Sequence, residues 1–187
     1  MNMRLRVLIV LLTMVAVPAQ AADLFMSLKA GVFDLQNETF SSSVYGPLVI
    51  DTESNSSNAI GLEWLLRDRW MVGFELYRMQ HDWRAVSGET GQIDSRMAVF
   101  SGKRLFNTDS IVQPYLGAGL GLVYMDFNTG DSWENEGSVA GHLGGGVLVK
   151  FDSVALYAEM RHFENLSTTS DYEYVGSSMY GGLRFGF

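Results

Sequence analysis

Few residues in this chain are equipped for chemistry. Cysteine is absent, which removes thiol nucleophiles and thiolate metal ligands. In the segment EMRHFEN, residues 159–165, His162 could act as a base, but the residue two places on is Glu164. Acyl transfer would need a hydroxyl there, and Ser167 could supply one only if the strand ended differently. Asp126, Asp131, Glu134 and Glu136 lie close together, with Asp171 and Glu173 in the next polar stretch. Their oxygens suit a hard divalent cation, yet the spacing is not that of a calcium-binding loop. A solvated acidic rim is expected, with no metal and no cofactor.

The remaining charges follow a different rule. In the final residues MYGGLRFGF, Met179, Gly181, Leu183, Phe185 and Phe187 alternate with Tyr180, Gly182, Arg184 and Gly186. One strand therefore carries an apolar row and a row with an arginine. Seven other stretches behave similarly: LFMSLKAGVF, AIGLEWLLR, WMVGFELYRM, SRMAVFSGKRLF, QPYLGAGLGLVYMDF, VAGHLGGGVLVKF and VALYAEMRHF. Lys29, Glu63, Glu75, Glu159, Arg161 and Arg184 all fall opposite the apolar row of their own strand. His142 shares that side, whereas His162 falls on the apolar one. In the fourth stretch Arg96 and Lys103 have opposite parities, so either a bulge shifts the alternation or one of them reaches along an interface.

Alternation alone does not say which face is inside. A soluble barrel would enclose the apolar row. Here that row has the width and aromatic edging of a band against lipid, with Trp64 and Trp70 flanking a turn at Asp68-Arg69. Hydrocarbon cannot satisfy the backbone of an open sheet edge, so the strands must close. The fold class expected is all-β, an eight-stranded antiparallel up-and-down transmembrane barrel. Eight strands leave a lumen just wide enough for side chains, and the six charges named above are expected to pair within it as a network. A narrow ion-conducting channel is the alternative use of the same charges.

Short and long connections alternate along the chain. The long ones are read as loops over 35–58, 81–92, 128–137 and 164–177, and the first carries an apolar island, VYGPLVI, that could be a short strand above the membrane or a contact patch. At the start, Arg4 and Arg6 precede an apolar run to Val17 and the small residues Ala19-Gln20-Ala21. This order reads as a signal peptide over 1–21, leaving a single barrel domain over 22–187. Losing those two arginines leaves 11 basic residues against 21 acidic ones, a net charge of about −10. No nucleic-acid partner is expected of so acidic a chain.

The leader, the eight amphipathic strands, PYLGAGLGLVY and the terminal RFGF together resemble the OmpA-type and opacity-protein family of small outer-membrane barrels. The resemblance spans the whole mature chain. It implies a place in the bacterial outer membrane among lipid and lipopolysaccharide, and a structural or display role in which outer loops meet a surface ligand. Phe187 resembles the C-terminal assembly signal of such barrels, which implies the barrel-assembly machinery as a partner. EMRHFEN faintly resembles the His-x-Ser motif of outer-membrane lipid A deacylases but lacks its serine, so no enzyme activity is expected.

Overall fold

The computed structural model describes residues 23–35, 39–42, 46–67, 69–85, 88, 90–128, 133–166 and 175–186. The leader read over 1–21, Phe187, Asp68, Asp131, Ser167, Asp171 and Glu173 lie outside the described residues. Nine strands form: β1 (Asp23–Leu35), β2 (Thr39–Ser42), β3 (Gly46–Leu66), β4 (Trp70–Ala85), β5 (Thr90–Leu105), β6 (Val112–Asn128), β7 (Trp133–Phe151), β8 (Val154–Asn165) and β9 (Gly176–Gly186). Eight of them close a barrel, because β1 pairs antiparallel with both β9 and β3. The ninth, β2, adds only to the far end of β3.

The register fixes the shape of the barrel. From Leu24 the paired residues run through Trp64, Val72, Gly102, Ala118, Leu143, His162 and Ser177 and return to β1 at Asp34, ten residues further along. Such a stagger over eight strands tilts them by about 35–45° and leaves a narrow interior. The short turns at one end each contain a left-handed residue, Arg67, Asn107 or Asp152. Asp152 lies in the two-residue loop between the paired Phe151 and Val154, where that conformation matches the twist of the hairpin.

Side chains alternate strictly about this wall. Leu116, Leu120, Leu122 and Leu143 face outward, with Leu143 68% exposed, whereas their neighbours Tyr115, Val123 and His142 are buried. Apolar side chains thus clothe the outside, and the charged row converges. Gly117, Gly119 and Gly121 line the inner side of β6, where a Cβ would press on Lys103, His142 and Val99 respectively. Their lack of a side chain makes room for those of the neighbouring strands.

One sequence expectation needs correction, and one open alternative is resolved. The polar stretches are shorter as loops than expected: β3 already begins at Gly46, β4 runs to Ala85, β5 begins at Thr90 and β7 at Trp133. Ladder pairing continues beyond the apolar band, with one register shift between Asp51 and Ser56, because beyond the bilayer neither face of a strand has to be apolar. Periodicity is lost there although hydrogen bonding is not. In β5 the register runs without a break from Thr90 to Arg104, so Arg96 faces outward at the rim and Lys103 faces the lumen. No bulge is needed. Because the chain has no native cysteine, single Leu120→Cys and Val99→Cys variants give a clean check. In the folded protein a membrane-partitioning maleimide should label position 120 and spare position 99.

Candidate functional site

Midway along the lumen, side chains from six strands meet. Lys29 of β1 pairs with Glu75 of β4, and its Nζ lies 2.9 Å from Glu159 of β8. Arg161, two residues beyond Glu159, reaches Glu159 with Nε and Glu75 with Nη1, each at 2.6 Å. Arg184 of β9 lies 3.5 Å from Glu63 of β3. Every one of these six residues is buried, and Glu75 is 0% exposed.

A seventh charge belongs with them. Lys103 of β5 pairs with Glu63 and lies 3.3 Å from Glu75 and 3.4 Å from Glu159. Sequence reasoning missed it because Arg96 and Lys103 could not both be placed by one alternation. Lys103 pointed inward all along, and the unbroken β5 ladder was the missing information. Tyrosines complete the shell: Tyr77, which shares the inward row of its strand with Glu75, donates to Glu75 at 2.8 Å, and Tyr115 donates to Glu159 at 2.7 Å. They supply the neutral donors that buried carboxylates require beyond their ion partners.

The cluster holds four cations and three carboxylates, Lys29, Lys103, Arg161 and Arg184 against Glu63, Glu75 and Glu159. The surplus positive charge is softened at Arg184, whose guanidinium sits 3.6 Å from the centre of the Phe25 ring. Apolar layers close the lumen on both sides. Phe33, Met79, Ile93, Met97, Met125 and Phe163 fill the half toward the long connections, while Met71, Leu105, Tyr115, Leu148 and Tyr157 fill the half toward the short turns. Between Glu63, Lys103 and Tyr157 a void of about 10 Å³ remains, room for one water. Among the described residues no cluster of metal-ligating side chains occurs. Glu134 and Glu136, expected in a loop, instead have their backbones in the β7 ladder, and Asp126 lies 3.8 Å from Arg96.

Outside the lumen, His162 sits half-buried on the outer wall. The register places it directly opposite Ser177 of β9, with its Nδ1 3.1 Å from the serine Oγ. Its Nε2 is 3.7 Å from Glu164. The hydroxyl absent from the local motif is therefore supplied by the neighbouring strand, which no reading of β8 alone could reveal. His142 faces the lumen, its ring packed 5.4 Å from that of Phe163 and its nitrogens without a hydrogen-bond partner among the described residues.

The family described as outer membrane protein beta-barrel domain matches residues 7–185. The chain belongs to that family. Several solved outer-membrane barrels share its fold. Neisserial surface protein A is 21% identical, with 90% of this chain and 100% of that one aligned at a TM-score of 0.64. OprG from Pseudomonas aeruginosa is 12% identical over 89% and 96% of the two chains, with a TM-score of 0.57. Ail, the attachment invasion locus protein of Yersinia pestis, solved in complex with the heparin analogue sucrose octasulfate, is 13% identical over 88% and 97%, with a TM-score of 0.51. No curated protein matches the sequence. At these identities the likeness concerns the fold.

In an outer-membrane barrel of this bacterial family the short turns face the periplasm and the long connections face outside. Trp64, Trp70, Phe106 and Phe151 then edge the periplasmic side, where the Arg104 guanidinium lies 5.7 Å from the rings of both Trp70 and Phe106. The lumen cluster lies at membrane depth, where an uncompensated charge is costly. Glu159→Gln should lower the folding free energy of this outer-membrane barrel by about 3–5 kcal/mol in reversible urea titrations in detergent or lipid. Adding Lys29→Met to it should cost less than the sum of the single changes, by about 1–3 kcal/mol, because the two groups share one interaction.

Proposed function

We propose that this protein is a non-catalytic scaffold that holds an outer sheet extension at the bacterial surface for contact with a partner. The observation that carries the reading is the packing of the lumen: seven buried charges lie between two apolar layers, and the void beside Glu63, Lys103 and Tyr157 measures only about 10 Å³. A hydrated ion has no comparable space, which weighs against the narrow-channel alternative. What is left for function is the outer end. There β2 and the outer parts of β3 and β4 form a paired sheet that includes the apolar segment 46–50. Paired strands that carry an apolar segment beyond the barrel suit recognition better than chemistry.

Ail was solved with a polyanionic heparin analogue. The formal net charge of −8 on the present chain makes a polyanion a poor match, and a basic or apolar partner surface fits it better. The lumen charges serve the scaffold by tying six strands together, Phe187 engages the assembly machinery, and the leader over 1–21 directs export. Replacing residues 39–51 with a short Gly-Ser linker should reduce adherence of expressing bacteria to host cells to background. The barrel should still show heat-modifiable migration. Undiminished adherence with the extension removed would overturn the display reading.

One contact favours a second reading. With Ser177 3.1 Å from His162 and Glu164 on the other side of the ring, the outer wall carries a hydroxyl, a base and a carboxylate in line. These are the types an acyl hydrolase uses, here beside the lipid surface. Glu164 is 70% exposed and its contact to Nε2 is long at 3.7 Å, so the histidine is not held as a catalytic base would be, and the display reading is preferred. Mass spectrometry of lipid A from cells expressing wild type, His162→Ala or Ser177→Ala decides between the two. The same acylation pattern in all three is expected, whereas loss of an acyl chain that depends on both residues would establish the enzyme.

A further inference from the structure

On the outer wall β4 and β5 place two arginines directly opposite each other, Arg78 against Arg96. Like charges in that position repel, and each side chain is 62% exposed. Asp94 relieves part of this, accepting from Nε and Nη2 of Arg78. Arg96 approaches Asp94 and Asp126 only at 3.9 and 3.8 Å, beyond hydrogen-bond distance. Its guanidinium therefore keeps donors available on the exposed outer face. The row continues to Asn58 beside Arg78 and Tyr124 beside Arg96.

Immediately on the membrane side of the arginines the wall is hollow. The next outward residues are Leu76 and Ala98, paired with Ile60 and Leu122. Alanine between two longer aliphatic side chains makes a trough. The resulting groove is wide and open, about 700 Å³, with an apolar surface along Ile60, Leu76, Ala98 and Leu122 and with Asn58, Arg78, Arg96 and Tyr124 at its polar edge. Phosphate above and hydrocarbon below is the chemistry of one molecular class: a guanidinium pair suits a phosphate monoester, and a groove over Ala98 suits a single acyl chain.

We propose that this wall binds one molecule of the phosphorylated lipid A moiety of outer-leaflet lipopolysaccharide, its phosphate on Arg78 and Arg96 and one acyl chain in the groove over Ala98. Asn58 and Tyr124 flank the sugar. The site rests on the outer-membrane location of the protein and is independent of the display role, since it lies on the wall of the barrel and uses no part of the outer sheet extension.

Native mass spectrometry of the intact barrel, refolded in detergent with equimolar lipids, tests the proposal. Diphosphoryl lipid A should be retained at one molecule per barrel. The Arg78→Gln/Arg96→Gln double variant should weaken retention at least about tenfold, the loss expected of charge-assisted bonds to phosphate. Ala98→Leu, which fills the groove and leaves both arginines in place, should weaken it as well. Leu143→Ala on a distant part of the wall should not. Heat-modifiable migration verifies that each variant is folded. Equal retention of dephosphorylated lipid A or of phosphatidylglycerol, or indifference to both the arginine and the groove variants, would overturn the site.

Discussion

A peptide group that faces hydrocarbon has no water to bond, so an open strand edge in a bilayer would leave a row of donors and acceptors unpaired. β1 removes that problem by pairing β9 along one side and β3 along the other. Closure brings the inner faces of eight strands within reach of one another and sets the stagger of ten residues. Lumen, outer wall and outer extension all inherit their geometry from this single requirement.

The same closure makes the buried charges tolerable. Glu75 and Glu159 each meet cations from other strands, and tyrosine hydroxyls complete their shells. Desolvating so many ions is expensive, and their mutual attraction offsets that cost only when the geometry is shared. The cluster is tied to one register of the strands. A slip of β8 by one residue would turn Glu159 and Arg161 toward lipid and Met160 toward the lumen, inverting every side chain of the strand at once.

At the outer rim the constraint relaxes. Polar residues return to the outward face as Asp94, Arg96 and Asp126, and the sheet continues into water without alternation. Inside the barrel the constraint does not relax, and charge is tolerated there only where it is paired.

The amino-acid sequence by itself determined the eight barrel strands, their order and, outside the fourth of them, the two rows into which the side chains of each strand fall. These are local properties, since a period of two residues follows from one pleated strand and its solvent on each side. Lys29, Glu63, Glu75, Glu159, Arg161 and Arg184 could be assigned to the charged row in that way. Only the tertiary structure decided which residues meet across strands. Lys103 beside Glu63, Ser177 beside His162 and Arg78 opposite Arg96 are products of register between separate strands, and register is set by closure, which no single strand records. The length of the strands beyond the membrane was hidden for a related reason: backbone pairing holds them there, and backbone pairing leaves no mark in the side-chain pattern once water lies on both faces.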